Sequence, residues 1–586
     1  MTLDRLTSCL PLAALLWLAL PGETLAQVDT TRTALPDIAP REVEIRGQLE
    51  ISLPSLRRQP LVGFNPPPRV PRPPAGRRPF AETYKQASAD LPASPLRRPL
   101  PPSALSAAAL PAEGLVETSV GRYFSRSAYA RIQAPLTNQA SFMLRADYRG
   151  SDGHEPFDET PDLNAPFDTF EGLIGVQRAG SQWAAGFTFS GFYESYDLFG
   201  LQDIPRPDPS LLLRSLEREG RGVVGALQLT TLTGTAIDAR LDLSYGATRY
   251  ETQVRSVDNV PEPGPELSEQ RFEADADVHF PVQTGDAWIS GSVSAASLAD
   301  GLGTYSAFEG GGGLRFQLDR AMTLRVGARF LGGFSDTATP RGSSDEVQIG
   351  YLSPDLHLEF LPTTGVRLYA RNRPGVEPNA VADVYRVNPY LNEQVEFRPT
   401  LRTVDAELGG SVFAGPVQMA AKAGFQDMPQ VLYFEHAGGT TSRGSTALRY
   451  GEADVAYAGG SISAVLPGGL HAMVGATYRD GRLSDEDVEI PYFAPVLGEA
   501  TLSYAFAQRR GLIQLTGHYE SARYIDRQQS RKAGAYLDLD VETTFNVTPL
   551  LGVVLRVENI SGSNNTRWDN YPESTLLIGA GLRVKW

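Results

Sequence analysis

Leu576-Leu577-Ile578-Gly579-Ala580-Gly581-Leu582-Arg583-Val584-Lys585-Trp586 closes the chain, and its reading decides the fold. Leu576, Ile578, Ala580, Leu582, Val584 and Trp586 take every second position, with Gly579, Gly581, Arg583 and Lys585 between them. A strand turns successive side chains to opposite faces, so this stretch has one apolar face and one wet face. An aromatic last residue suits a strand whose apolar face meets lipid and whose end lies at the membrane interface. The expected fold class is all-β: a transmembrane antiparallel β-barrel of the Gram-negative outer membrane. In this reading its partners are outer-membrane lipid and the barrel-insertion machinery, and Trp586 is the targeting end of the last strand.

The same period recurs upstream. Phe272, Ala274, Ala276, Val278 and Phe280 alternate with Glu273, Asp275, Asp277 and His279. Met322 to Phe330 sets Met, Leu, Val, Ala and Phe against Thr323, Arg325, Gly327 and Arg329. Val366, Leu368 and Ala370 oppose Arg367, Tyr369 and Arg371, and Leu537, Leu539 and Val541 oppose Asp538, Asp540 and Glu542. A soluble sandwich would alternate in the same way, so loop length carries the stronger argument. Short turns fall at 136–138, 179–181, 233–235, 318–321, 362–365, 414–416, 467–469 and 548–550. Longer connections fall between them, near 150–165, 195–219, 252–270, 333–346, 373–397, 438–446, 481–494, 525–533 and 562–572. Sorting by parity is the mark of an outer-membrane barrel, with short periplasmic turns and long outer loops; about 22 strands are expected. Both ends of the barrel are then periplasmic. The first hairpin, near Tyr123 to Ser127, breaks the length rule.

Residues 1–26 read as a secretory signal peptide: Arg5, an apolar run from Leu10 to Leu20, a Pro21-Gly22 break and Thr24-Leu25-Ala26 before Gln27. Leu6-Thr7-Ser8-Cys9 precedes the apolar run, which is the wrong order for a lipoprotein box. Cys9 is the only cysteine and leaves with the signal, which excludes disulfides and thiolate chemistry in the mature chain. Residues 27–113 hold 17 of the 44 prolines and a net charge of +4, with arginine pairs at Arg57-Arg58, Arg77-Arg78 and Arg97-Arg98. Such a stretch favours an extended, mostly irregular periplasmic arm. Residues 114–586 form the barrel and carry −18 of the overall −15, which makes a poor nucleic-acid binder. The mean hydropathy of −0.22 does not argue against a membrane, because a barrel hides its lipid contact in alternation.

Several motifs stand in order near the end: Asn388-Pro389-Tyr390-Leu391-Asn392-Glu393, Tyr536-Leu537-Asp538-Leu539-Asp540, Val557-Glu558-Asn559-Ile560, Trp568-Asp569-Asn570-Tyr571-Pro572 and the final strand. Together they resemble the barrel of a TonB-dependent receptor. The resemblance implies a 22-stranded barrel that admits a small solute or oligomer across the outer membrane. The same family carries a folded plug and a TonB box ahead of the barrel. Here only residues 27–113 are available, and they are too rich in proline for an ordinary plug. Arg41, Glu42, Val43, Glu44 and Ile45 resemble a TonB-contact segment, making TonB or another periplasmic protein the expected partner of the arm. Part of residues 41–113 is a candidate reduced plug, drawn by its charge into an acidic lumen; a partner protein in the lumen is the competing idea. The alternative function is a non-transport anchor or assembly partner whose Pro-rich arm recruits periplasmic proteins.

Catalysis is not expected. His154, His279, His357, His436, His471 and His518 show no metal-ligand spacing, and no G-x-S-x-G elbow occurs. His279 and His357 read as lumen lining. Glu155, Asp158, Glu159, Asp162 and Asp168 lack the spacing of a calcium loop and read as a solvated charge run. No cofactor or metal is expected. Trp568, Tyr571, Tyr390, Tyr385, Tyr492 and Phe493 lie in the expected outer loops and are candidate ligand contacts.

Overall fold

The structure, a computed structural model, describes residues 113–586 apart from 158–163, 201–214, 233–236, 256–260, 284, 300–301, 339–343, 392–395, 437–445 and 564. The signal, the arm and the Arg41–Ile45 segment lie outside the described residues.

Twenty-two strands make the wall: β1 Glu113–Gly121, β2 Arg126–Thr137, β3 Ala140–Ser151, β4 Phe167–Ala179, β5 Trp183–Asp197, β6 Ser215–Thr231, β7 Asp238–Arg255, β8 Pro261–Val282, β9 Gly285–Leu298, β10 Gly303–Asp319, β11 Met322–Ala338, β12 Ser344–Thr363, β13 Val366–Asn372, β14 Val404–Ala414, β15 Val417–His436, β16 Thr446–Leu466, β17 Leu470–Leu483, β18 Val496–Phe506, β19 Gly511–Glu520, β20 Tyr536–Asn546, β21 Leu551–Glu558 and β22 Leu577–Lys585. Each pairs antiparallel with the next, and β22 returns to β1 from Leu115↔Lys585 to Gly121↔Gly579. The wall has no free edge, which hydrocarbon requires because it offers no water to an unpaired amide.

The outer face follows the alternation. Phe272, Val326, Phe330, Leu368 and Leu537 are exposed outward while their charged neighbours line the lumen, and on β22 Leu582 and Trp586 are each 54% exposed. Aromatics border this apolar band. Trp183, Phe187, Tyr504 and Trp586 stand toward the short turns, and Phe170, Tyr193, Tyr478 and Tyr519 toward the long loops.

Loop parity holds with four exceptions at the long-loop end, Arg122–Ser125, 256–260, 299–302 and 339–343, each five residues or fewer. Two boundaries are corrected. The stretch 252–270 is mostly strand, since β7 runs on to Arg255 and β8 begins at Pro261, and so is 333–346, since β11 runs on to Ala338 and β12 begins at Ser344. Among the described outward positions of 252–270, Gln253, Glu266, Ser268 and Gln270 are polar, so the alternation that marks a strand disappears. Strands range from 7 residues in β13 to 22 in β8. Since about 10 suffice to cross a bilayer, one side of the wall stands clear of the membrane at the long-loop end.

The seam is bridged from inside. Glu117 of β1, 3% exposed, accepts bonds from Arg556 of β21 and, at 2.6 Å, from Arg583 of β22. Arg556 also reaches Glu542 of β20 at 2.9 Å. The first strand is thus tied by charge to the last three. Glu117→Ala leaves two half-buried arginines short of an anion and is expected to cost about 3 kcal/mol. The readout is the temperature at which unboiled protein loses its compact gel mobility. A shift no larger than that of the lipid-facing Thr118→Ala would refute the role.

Candidate functional site

The connection from β13 to β14, residues 373–403, does not rise as a free loop; it folds into the long-loop end of the barrel. It carries the two short strands Gly375–Glu377 and Thr400–Arg402, paired with each other, and one helix, α1 Val381–Val387. Its contacts are with inward positions of the wall. The Ser335 hydroxyl donates to the Phe397 carbonyl at 2.8 Å, and the Gln430 amide donates to the Pro399 carbonyl at 2.6 Å. Leu401 pairs with Gln430, and Leu391 bridges to Thr446.

Two charged wall residues hold the ends of α1. The Val381 N–H, at the helix start, points to the Glu269 carboxylate at 3.5 Å; that carboxylate also accepts from the Tyr305 hydroxyl. Past the helix end, one Arg218 nitrogen donates to the carbonyls of Pro389 and Leu391, each at 2.7 Å, and another donates to the Thr252 hydroxyl at 3.1 Å. An anion at the start and a cation past the end both match the helix dipole. Both side chains are only 2% exposed. The Asn388-Pro389-Tyr390-Leu391 motif builds this anchorage: the Asn388 side-chain oxygen accepts from the Tyr390 N–H at 3.1 Å, an Asx turn that presents the two carbonyls to Arg218.

An apolar and aromatic core joins the strap to the wall. Val381, Val384, Leu391 and Phe397 are fully buried among Tyr250, Leu267, Tyr305, Phe434 and Leu448. Tyr385 stacks on Tyr250 at 4.3 Å, and Tyr390 on Tyr571 at 3.4 Å. Trp568 packs between Phe434 and Tyr492, and Phe199 meets Tyr571 at 5.0 Å. Such pairs are worth about 1 kcal/mol each beyond burial.

Five of the six aromatic candidates are thus brought together. Tyr385, Trp568 and Tyr571 are buried and Tyr390 and Tyr492 half-buried, their faces largely taken by one another. Burial pushes the Tyr390, Tyr492 and Tyr571 hydroxyls up, so they stay neutral. Phe493 stands apart, under the Arg479 guanidinium at 3.8 Å. Of the acidic stretch, Asp158, Glu159 and Asp162 lie outside the described residues, and Asp168 sits on β4, paired with Arg126 and Tyr148. His279 lines the lumen beside Asp277 at 2.6 Å. Among the described residues no group of three His, Cys, Asp or Glu is placed to hold a metal ion.

Sequence reasoning missed Arg218 and Glu269, which look like any other charge on a wet strand face. Away from the strap the lumen wall carries charges of both signs, many of them paired. Asp355 holds Arg329 at 2.6 Å and Arg325 at 3.3 Å, with Arg325 over the Trp288 ring at 3.7 Å. Glu407 holds Arg371 at 2.9 Å and accepts from Tyr369 and Tyr457.

No family model matches the sequence, and neither does any curated protein. Solved structures do match. The chain is similar to a variant of the ferric enterobactin receptor PfeA of Pseudomonas aeruginosa, with a TM-score of 0.61 and 12% identity over 82% of this chain and 81% of that one. It is similar to the FrpB iron transporter of Neisseria meningitidis, with a TM-score of 0.62 and 12% identity over 81% of each. It is also similar to the copper transporter OprC, with a TM-score of 0.62 and 10% identity over 81% and 80%. These neighbours are TonB-dependent receptors, and the likeness is one of fold: a closed antiparallel barrel of 22 strands.

One edge of the aromatic core titrates. His154, between β3 and β4, lies edge-on to Phe199 and meets the Pro572 carbonyl at 3.0 Å, next to Tyr571. Burial pushes its imidazole below the usual value, the Pro572 carbonyl opposing in part. The contact is therefore fully stable above pH about 6.5, the ordinary histidine value, and weakens as pH falls from there toward the lowered one. A fall in amide protection factors around 152–157 and at 571 and 573 on acidification, abolished in His154→Gln, is expected; the same fall in the variant would exclude the histidine.

Proposed function

We propose that the protein is a gated transport or receptor barrel that admits a small solute or oligomer across the outer membrane. The strap 373–403 acts as its resident gate. The observation that carries the reading is the position of that strap: a short segment folded into one end of a charged, hydrated lumen, held by two wall charges and an aromatic core. A fold meant only as an anchor has no use for an occluder built into its mouth. The long-loop end faces outward and the first and last strands of the barrel start and finish on the periplasmic side, in keeping with loop parity.

No covalent step is involved. Trp568, Tyr571, Tyr390, Tyr385 and Tyr492 act as ligand contacts once the strap moves and their faces part. Arg41, Glu42, Val43, Glu44 and Ile45 serve as the TonB contact that supplies the energy for that movement. The neighbours' printed names, ferric enterobactin receptor, iron transporter and copper transporter, make ferric enterobactin, iron and copper the first cargoes to assay.

A disulfide tests the gate. Leu391 and Thr446 are bridge partners, and the chain's one native cysteine, Cys9, falls in the signal peptide. Cells making Leu391→Cys/Thr446→Cys are expected to accumulate cargo under reducing conditions and to lose most of that accumulation on oxidation, with the single variants unaffected. Equal accumulation in both states would refute gating by the strap. Deleting residues 41–47 is expected to abolish accumulation while leaving barrel insertion intact; an anchor that recruits proteins through its Pro-rich arm would be indifferent to the disulfide.

A further inference from the structure

Most inward arginines of the wall with a described partner hold a carboxylate or a carbonyl. Arg315, opposite Arg325, does not, and neither does one row of three cations. Lys585 of β22, Leu115 of β1, Arg131 of β2 and Arg145 of β3 are successive register partners across four adjacent strands. They share the face of Glu117 and Arg583, so all four point into the lumen. The three cations are exposed, and among the described residues none has a carboxylate partner. Arg131 stands directly opposite Arg145, an arrangement that destabilises a strand pair. The nearest acids do not relieve it. Glu117 is taken by Arg556 and Arg583, Asp147 lies 3.4 Å from Arg149, and Glu113 pairs with Gln133 at the strand end. Arg145 leans over the Tyr129 ring at 5.9 Å, which partly fixes its position.

We propose that this row is an oxyanion-binding station in the lumen, just inside the short-turn rim, taking a phosphate group or a polycarboxylate carried by a solute. Two guanidiniums on directly paired residues start about 5 Å apart at their Cβ atoms and can share the oxygens of one tetrahedral or paired anion. Guanidinium suits such bidentate contact, and Lys585 adds a third charge at the edge. The bound anion cancels the repulsion that the empty row carries. This goes beyond the transport reading, since binding needs neither gate nor energy; where that reading holds, the row sets the sign of the cargo.

The probe is inorganic pyrophosphate, titrated calorimetrically into the full mature chain in non-ionic detergent at low ionic strength. Saturable binding is expected, weakened at least about tenfold in Arg131→Gln/Arg145→Gln and largely retained in Arg131→Lys/Arg145→Lys, because most of the attraction is charge. The double glutamine variant removes a repulsion, so it should keep its compact gel mobility. The outward-facing Arg178→Gln should bind as the parent does. Absence of saturable binding, or equal binding in the double glutamine variant, would overturn the proposal. Binding that emerges only on removal of residues 28–110 would assign the row to carboxylates of the arm and overturn it as well. Failure of the uptake experiment would leave pyrophosphate binding untouched, so the two readings fall separately.

Discussion

Closure is the constraint on which everything else rests. Twenty-two strands bury their amides in one another only because β1 finds β22, and the two ends of the chain segment that form this joint are more than 450 residues apart in sequence. Apolar packing does not select the joint, since the outer faces of all strands are alike to lipid. The wet face does the selecting. Glu117, Arg556, Arg583 and Glu542 form a set that is complete only when β1, β20, β21 and β22 lie side by side in one register. A slip of β1 by one residue would turn Glu117 toward hydrocarbon, where an unpaired charge is costly, and leave Arg556 and Arg583 short of their anion.

The same two-sided logic builds the strap. A lumen face must be polar to be wetted, yet a segment folded into it needs an apolar core to stay there. The upper wall meets both demands by changing composition with height. Low in the wall the inward positions are arginines and carboxylates in pairs. Near the long loops they become Tyr250, Leu267, Ala296 and Tyr305, which receive Val381, Val384 and Phe397. Glu269 and Arg218 remain among them as fixed points for a short helix that would not be stable alone.

What could be read from the sequence follows from these physics. The period of 2 in Met322–Phe330 or Leu576–Trp586 is set by the strand itself, so the faces were legible residue by residue. Turn positions were legible because Gly365, Gly415 and Gly468 supply the left-handed backbone that tight turns need. The strap was not legible. Val381, Val384 and Tyr385 do lie at helical spacing, but seven residues inside a stretch expected to be loop carry little signal. The two residues that hold them lie more than a hundred positions upstream. Five of the aromatic candidates converge; whether an aromatic ring waits for a ligand or for its neighbour is decided by distances that residue type does not carry. The Arg131–Arg145 opposition required the register, which turn lengths alone leave uncertain by a residue or two.

The uneven height of the wall has a last consequence. Short strands flank the seam, and the tall run from β6 to β12 stands opposite, so the rim slopes like the lip of a cut reed. Large particles drifting toward such a mouth, immunoglobulins or phage tails among them, touch the crest first and are kept off the low side by its shadow. Variation that such encounters select should therefore gather on the crest, leaving the sheltered lip around Arg122–Ser125 comparatively quiet.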